Sequence, residues 1–202
     1  MKLKDKVVVV TGAGSGMGRE LVLELLRRGA RVAALDISEE GLAGTVERAG
    51  SPASGLFTAI ANIADRTRVE ELPALIAAAL GPVDVLINNA GIIHPFQRVI
   101  DLDYATIDRV VQVNFYGTLY MCKTFLPGML ERDWGRIIFI SSECATLVPP
   151  DLIAYSMTKT ALHAISRGLA QLTKGTAVTV NTVAPGSTLS EGAQRFLAKA
   201  AE

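Results

Sequence analysis

The stretch Val7-Val8-Val9-Val10-Thr11-Gly12-Ala13-Gly14-Ser15-Gly16-Met17-Gly18 decides the fold of this chain. Four consecutive β-branched residues favour a strand, and a strand apolar at every position is one buried on both faces. The glycines that follow let the backbone turn tightly and approach a bound group closely. Residues 17–28 then read as a helix, which stops at Gly29, a residue type that favours a helix C-terminus. A strand, a glycine-rich turn and a helix in that order leave free N–H groups and a positive dipole end at the turn, which suits a pyrophosphate. The G-x-G-x-x-G spacing fails from Gly12, because its last glycine would fall on Met17. The spacing that fits is Gly12, Gly16 and Gly18. Alone, such a turn is also compatible with a plain structural role; its position between strand and helix favours a dinucleotide.

Working outward, apolar runs alternate with helical patterns. Residues 31–36, 56–60, 83–87, 136–140 and 178–183 read as strands. Residues 39–49 read as a helix capped by Ser38, and residues 67–80 as a helix ended by Gly81-Pro82. Residues 103–132 form a long helical region and 152–172 another; a last helix begins at 190. Repeated strand–helix–strand units give an α/β fold, a doubly wound Rossmann-type parallel sheet with helices on both faces. No internal boundary divides residues 1–202, so a single domain is expected, with its ligand site outside the carboxyl ends of the strands. The region 110–130 is apolar nearly all round, which predicts burial against both the sheet and a second subunit.

Composition excludes several classes. Twenty basic and twenty acidic residues balance, so the chain lacks the basic surface that nucleic-acid binding needs. Half the residues are hydrophobic, yet no apolar run is long enough to cross a membrane. Residues 1–6 run straight into the first strand with no signal-peptide pattern, so the expectation is cytoplasmic. Cys122 and Cys144 fit neither a disulfide framework nor a metal site, and His94 and His163 have no partner at ligand spacing.

Asp36 ends the second strand, where a carboxylate accepts hydrogen bonds from the ribose hydroxyls of NAD and repels the extra phosphate of NADP. Ser15 and Ile37, the neighbouring positions, offer no basic residue to offset it. Gly12, Ser15, Gly16, Met17, Gly18, Asp36 and Ile37 are therefore the expected cofactor contacts at this end. Further along, Tyr155 and Lys159 are spaced i, i+4 and share a helix face. A nearby ammonium stabilises a phenolate, and a phenol so tuned exchanges a proton with an alcohol or ketone near neutral pH. Ser142 follows the fifth strand, where a hydroxyl can bond a substrate oxygen; Ser141 reads as no more than a polar strand end. Asn114 is a poor choice for a buried helix unless its amide has partners.

These motifs together resemble the short-chain dehydrogenases/reductases. The resemblance rests on Thr-Gly-x-x-x-Gly-x-Gly at 11–18, Asn-Asn-Ala-Gly at 88–91, Asn114, Ser142, Tyr155 with Lys159, and Pro185-Gly186. It implies Tyr155 as general acid/base and Lys159 as the residue that lowers its pKa and binds the nicotinamide ribose. It further implies Ser142 as the group orienting the substrate oxygen, and Asn114 as holder of a water in a proton relay to Lys159. The same resemblance places Asn62 and Ile63 beside the adenine and Asn89, Ala90 and Gly91 along the cofactor. Pro185, Gly186 and Thr188 fall near the nicotinamide amide. Members of the family usually continue beyond this point; here residue 202 falls within what reads as a substrate lid, so a longer protein and an incomplete lid are expected.

The expected activity is hydride transfer between NAD and a secondary alcohol or ketone of a small, modestly apolar substrate, in a homodimer or homotetramer. A non-catalytic NAD-binding regulator or scaffold on the same fold is the rival, but it has no need of Asn114, Ser142, Tyr155 and Lys159 together. A sugar epimerase or dehydratase would require a sizeable C-terminal substrate domain. Residues 92–96, 143–152 and 187–196 are the expected substrate lining, with Glu143 and Cys144 unusual neighbours of Ser142.

Overall fold

A computed structural model describes residues 3–50 and 55–188. Its strands are β1 (Val7–Thr11), β2 (Arg31–Asp36), β3 (Leu56–Ile60), β4 (Val85–Asn88), β5 (Gly135–Ile140) and β6 (Val178–Val183). They form one sheet in the order β3-β2-β1-β4-β5-β6, parallel throughout. The order reverses between β1 and β4, which opens a crevice at their carboxyl ends. The helices are α1 (Gly16–Arg27), α2 (Glu39–Ala49), α3 (Arg66–Leu80), α4 (Tyr104–Val111), α5 (Thr118–Glu131), α6 (Cys144–Leu147) and α7 (Ile153–Leu172).

Alternation along each strand builds two cores. Val7 and Val9 face α3 and α5 with Leu72, Ile76, Met121 and Phe125. Val8 and Val10 face α1 and α2 with Val22, Leu25 and Leu42. Every residue of β1 is buried, as a central parallel strand requires. Ser38 caps α2 by accepting from the Gly41 N–H, as its position predicts.

Three local features differ from the sequence reading. The fourth strand is Val85–Asn88, not 83–87: Asp84 instead pins the start of β1, accepting from the Val7 N–H at 3.0 Å. The region 103–132 is not one continuous α-helix. It is α4, a π-helical segment at Gln112–Gly117, and α5. A π insertion rotates the helix face by one residue, and here it carries Asn114 inward. Helix α6, a single turn after Ser142, has no counterpart in the sequence reading. The helix expected from 190 lies outside the described residues.

Candidate active site

The glycine turn is fixed by sterics. Gly12 and Gly16 have φ of +68° and +50°, values that L side chains avoid. A Cβ at Gly18 would overlap the Gly12 carbonyl oxygen and stand 2.6 Å from Asn89 Nδ2. A Cβ at Gly12 would stand 2.9 Å from the Ala90 Cα. Around the turn, Asn89 Nδ2 donates to the Thr11 carbonyl at 2.8 Å, and Thr11 Oγ1 accepts from the N–H groups of Asn89 and Ala90, each at 3.0 Å. Thr45 and Arg19, which the sequence did not single out, grip the turn from outside: Thr45 Oγ1 donates to the Ala13 carbonyl, and the Arg19 guanidinium to the carbonyls of Gly14 and Gly41.

Asp36 accepts from the Gly14 N–H at 2.8 Å and the Ser38 N–H at 2.9 Å, one through each oxygen. It therefore orients the turn and the start of α2 as well as facing the cleft, and a carboxylate has acceptor capacity left over. The cleft measures about 1010 Å³. Gly12, Ser15, Gly16, Met17, Gly18, Asp36, Ile37, Asn62, Ile63, Asn89, Ala90 and Gly91 all line it. Asn62 Oδ1 also accepts from the Ala64 N–H, which leaves one lone pair and the NH₂ for a ligand. Asn88 points elsewhere: it is buried and donates to Cys122 Sγ. Burial pushes the Cys122 thiol up to about 12, so it is an inert packing residue.

The residues fit a dinucleotide. Bare backbone stands where a Cβ would collide, at the N-terminus of a helix whose Ser15 cap makes no side-chain bond to the first N–H groups. From Asp36 on β2 to Ser142 beyond β5 is three strand spacings, about 14 Å, a span suited to a molecule lying across the sheet end.

At the far end, Ser142 neighbours the Tyr155 phenol and favours its ionised form, and the Ser142 hydroxyl accepts from the Cys144 N–H at 3.2 Å. Lys159 Nζ donates to the Ile140 carbonyl at 2.9 Å and lies 5.7 Å from the Tyr155 ring centre. Burial pulls Lys159 down to about 8. Burial also pushes the Tyr155 phenol up, and Ser142 only partly opposes it. The lowered phenol expected from the Tyr–Lys spacing is thus not what this arrangement produces by itself: the ammonium is turned toward β5, and desolvation dominates.

Asn114 is engaged through both amide atoms. Its Oδ1 accepts from the Ile92 N–H, and its Nδ2 donates to the Ile92 carbonyl and to Thr158 Oγ1. Asn114 Oδ1 and Lys159 Nζ converge over Gly91, where a Cβ would stand 3.3 and 3.2 Å from them. Ser141 is more than a polar strand end. It is buried, its Oγ donates to the Lys159 carbonyl at 3.0 Å, and it pairs with His163 Nε2 at 2.9 Å. Beyond β6, Glu143 N donates to the Pro185 carbonyl, Ser187 Oγ donates to Glu143 Oε1, and Thr188 Oγ1 donates to the Gly186 carbonyl. Of the expected substrate lining, Ile93, Phe96, Leu147 and Val148 stand exposed. Residues 189–196 lie outside the described residues. No group of three or more potential metal ligands occurs among the described residues.

A parallel sheet with this crevice, and a Ser–Tyr–Lys set at its end, defines a dinucleotide-dependent oxidoreductase of the Rossmann type. The family model for short chain dehydrogenases matches residues 6–201, and the chain belongs to that family. It is 37% identical over 206 residues to the uncharacterized oxidoreductase YvrD of Bacillus subtilis, covering 100% of this chain and 76% of that protein. It is 36% identical to 2-(S)-hydroxypropyl-CoM dehydrogenase 3 of Xanthobacter autotrophicus, covering 95% and 74%. Among solved structures it resembles levodione reductase (TM-score 0.91, 26% identity, 96% of this chain and 76% of that one). It also resembles NAD⁺-bound xylitol dehydrogenase (TM-score 0.88, 27% identity, 92% and 72%).

Proposed function

We propose that this chain is an NAD-preferring enzyme that interconverts a secondary alcohol and a ketone on a small, modestly apolar substrate. The observation that carries this reading is the Ser142–Tyr155 hydroxyl pair beside buried Lys159, at the carboxyl end of the sheet that holds the glycine cradle. When bound, the nicotinamide supplies or accepts the hydride. Tyr155 gives its hydroxyl proton to the carbonyl oxygen during reduction and recovers it from the alcohol during oxidation. Ser142 donates a hydrogen bond to the same oxygen while its charge changes. Desolvation keeps the phenol protonated, which suits the donor role, and the charge of Lys159 favours the phenolate once the proton has left.

Asp36 supports NAD over NADP: its carboxylate faces the cleft, and Ile37 beside it is uncharged and 68% exposed. The exposed Ile93, Phe96, Leu147 and Val148 favour a substrate with an apolar body. The names of two similar proteins, 2-(S)-hydroxypropyl-CoM dehydrogenase and levodione reductase, point the same way on reaction type. We further read the chain as one domain acting in the cytoplasm, as a homodimer or homotetramer through α5 and α7. On α5 and the segment before it, Tyr116 is 42% exposed and stacks with Tyr120. A strictly monomeric sedimentation profile at micromolar concentration contradicts the assembly.

The test is a panel of alcohols and ketones with NAD(H) and NADP(H), followed by absorbance. Tyr155→Phe is expected to lower kcat by about 10²- to 10⁴-fold with dinucleotide binding retained. Equal turnover by the variant overturns the mechanism.

A further inference from the structure

Glu143 is a carboxylate placed one residue from Ser142, and no proton-transfer role above uses it. Three contacts hold it against the loop that follows β6. Its N–H donates to the Pro185 carbonyl at 2.9 Å, its Oε1 accepts from Ser187 Oγ at 3.2 Å, and its Oε2 fills the space over Gly186, 3.1 Å from where a Cβ would stand. The side chain is half-buried, and its hydroxyl partner is neutral, so this bond leaves the negative charge in place. Nearby, the buried Lys159 ammonium hangs from the end of β5.

We propose that Glu143 sets the redox preference of the site, its fixed negative charge favouring the cationic oxidised nicotinamide over the neutral reduced one. This rests on the reading of the crevice as a nicotinamide dinucleotide site. A dinucleotide with its phosphates on the glycine cradle over β1 and one ribose at Asp36 on β2 would extend its other end over β4, β5 and β6. That end carries the only charge that differs between the two redox forms. A buried ammonium at Lys159 opposes a cationic ring; a half-buried carboxylate just past the end of the same strand, its Ser187 partner exposed, offsets it. Ser187 fixes the carboxylate and leaves the charge unaltered, which separates a latch from an electrostatic role.

The experiment measures the dissociation constants of NAD⁺ and NADH by calorimetry for the parent chain, Glu143→Gln and Ser187→Ala, with no substrate present. The amide introduced by Glu143→Gln keeps an acceptor for Ser187 and removes the charge. Glu143→Gln is expected to weaken NAD⁺ about tenfold and to leave NADH within about twofold, whereas Ser187→Ala shifts both together. An unchanged NAD⁺/NADH affinity ratio in a Glu143→Gln chain that still binds both forms overturns the role of Glu143 alone. A parent chain that binds neither form overturns the cofactor reading, and this proposal with it. An unchanged circular dichroism spectrum of each variant, together with retained NADH binding, excludes loss of fold.

Discussion

The two ends of the crevice are built by different means. The end around residues 12–18 is shaped by backbone: its form follows from where a Cβ cannot fit, and Asn89, whose bonds to Thr11 span 78 residues of sequence, braces it from the end of β4. The end around Ser142, Tyr155 and Lys159 is made of side chains brought from β5, α7 and the π segment, held by hydrogen bonds that span 18 to 44 residues of sequence. A steric requirement leaves a trace in the sequence, because only glycine meets it. A long-range hydrogen bond to a carbonyl leaves none, because every residue carries a carbonyl.

If this contrast holds, the first end breaks by adding a single methyl group. Gly18→Ala is expected to cost about 3 kcal/mol in denaturant unfolding and to abolish dinucleotide binding, since the clash is with backbone that cannot step aside. Stability and affinity near the parent values would show that the turn is softer than its geometry implies. The second end breaks by stranding partners. Asn114→Ala leaves the Ile92 N–H, the Ile92 carbonyl and the Thr158 hydroxyl without their amide, a loss of about 2 kcal/mol. A loss under a few tenths of a kcal/mol would mean that water replaces it.

The smallest effect sharpens the contrast most, because its sign is opposite. Lys159 sits near 8 when folded and at 10.5 as an ordinary lysine. Below about pH 8 it is charged in both states, and folding bears the full cost of burying it, about 3 kcal/mol. Between 8 and 10.5 the unfolded chain binds more proton than the folded one, so stability rises with pH; above 10.5 the cost is gone. Lys159→Met removes that cost but leaves the Ile140 carbonyl unpaired, for a net gain of about 1 kcal/mol at about pH 7 that reverses to a net loss of about 2 kcal/mol above about pH 10.5. Urea melts at both pH values measure it, and a variant less stable than its parent at the lower pH contradicts the assignment.

The same distinction explains what the sequence disclosed. The valine run at 7–10 and the glycine spacing define strand, turn and helix, because apolar patterning and forbidden Cβ positions are local. The residue types at Tyr155, Lys159, Ser142 and Asn114 were legible, and the structure gathers them. Their orientations were not: nothing in the spacing of Tyr155 and Lys159 tells that the ammonium turns to the Ile140 carbonyl. The π segment was hidden because i→i+5 bonding has no residue signature, and an apolar run such as 110–130 looks the same in either helix. Ser141 reads as a strand end because its partners, the Lys159 carbonyl and His163, lie a full crossover away.

The Thr11 hydroxyl receives two consecutive N–H groups from across the chain reversal, while Asn89 reaches back to the carbonyls of Thr11 and Gly12. Those four bonds sew shut the seam between the two halves of the sheet. A ligand entering there meets a finished mould and has little to organise at its centre. Any adjustment to the ligand then falls to the rims, where residues 92–100 and 184–188 leave the sheet.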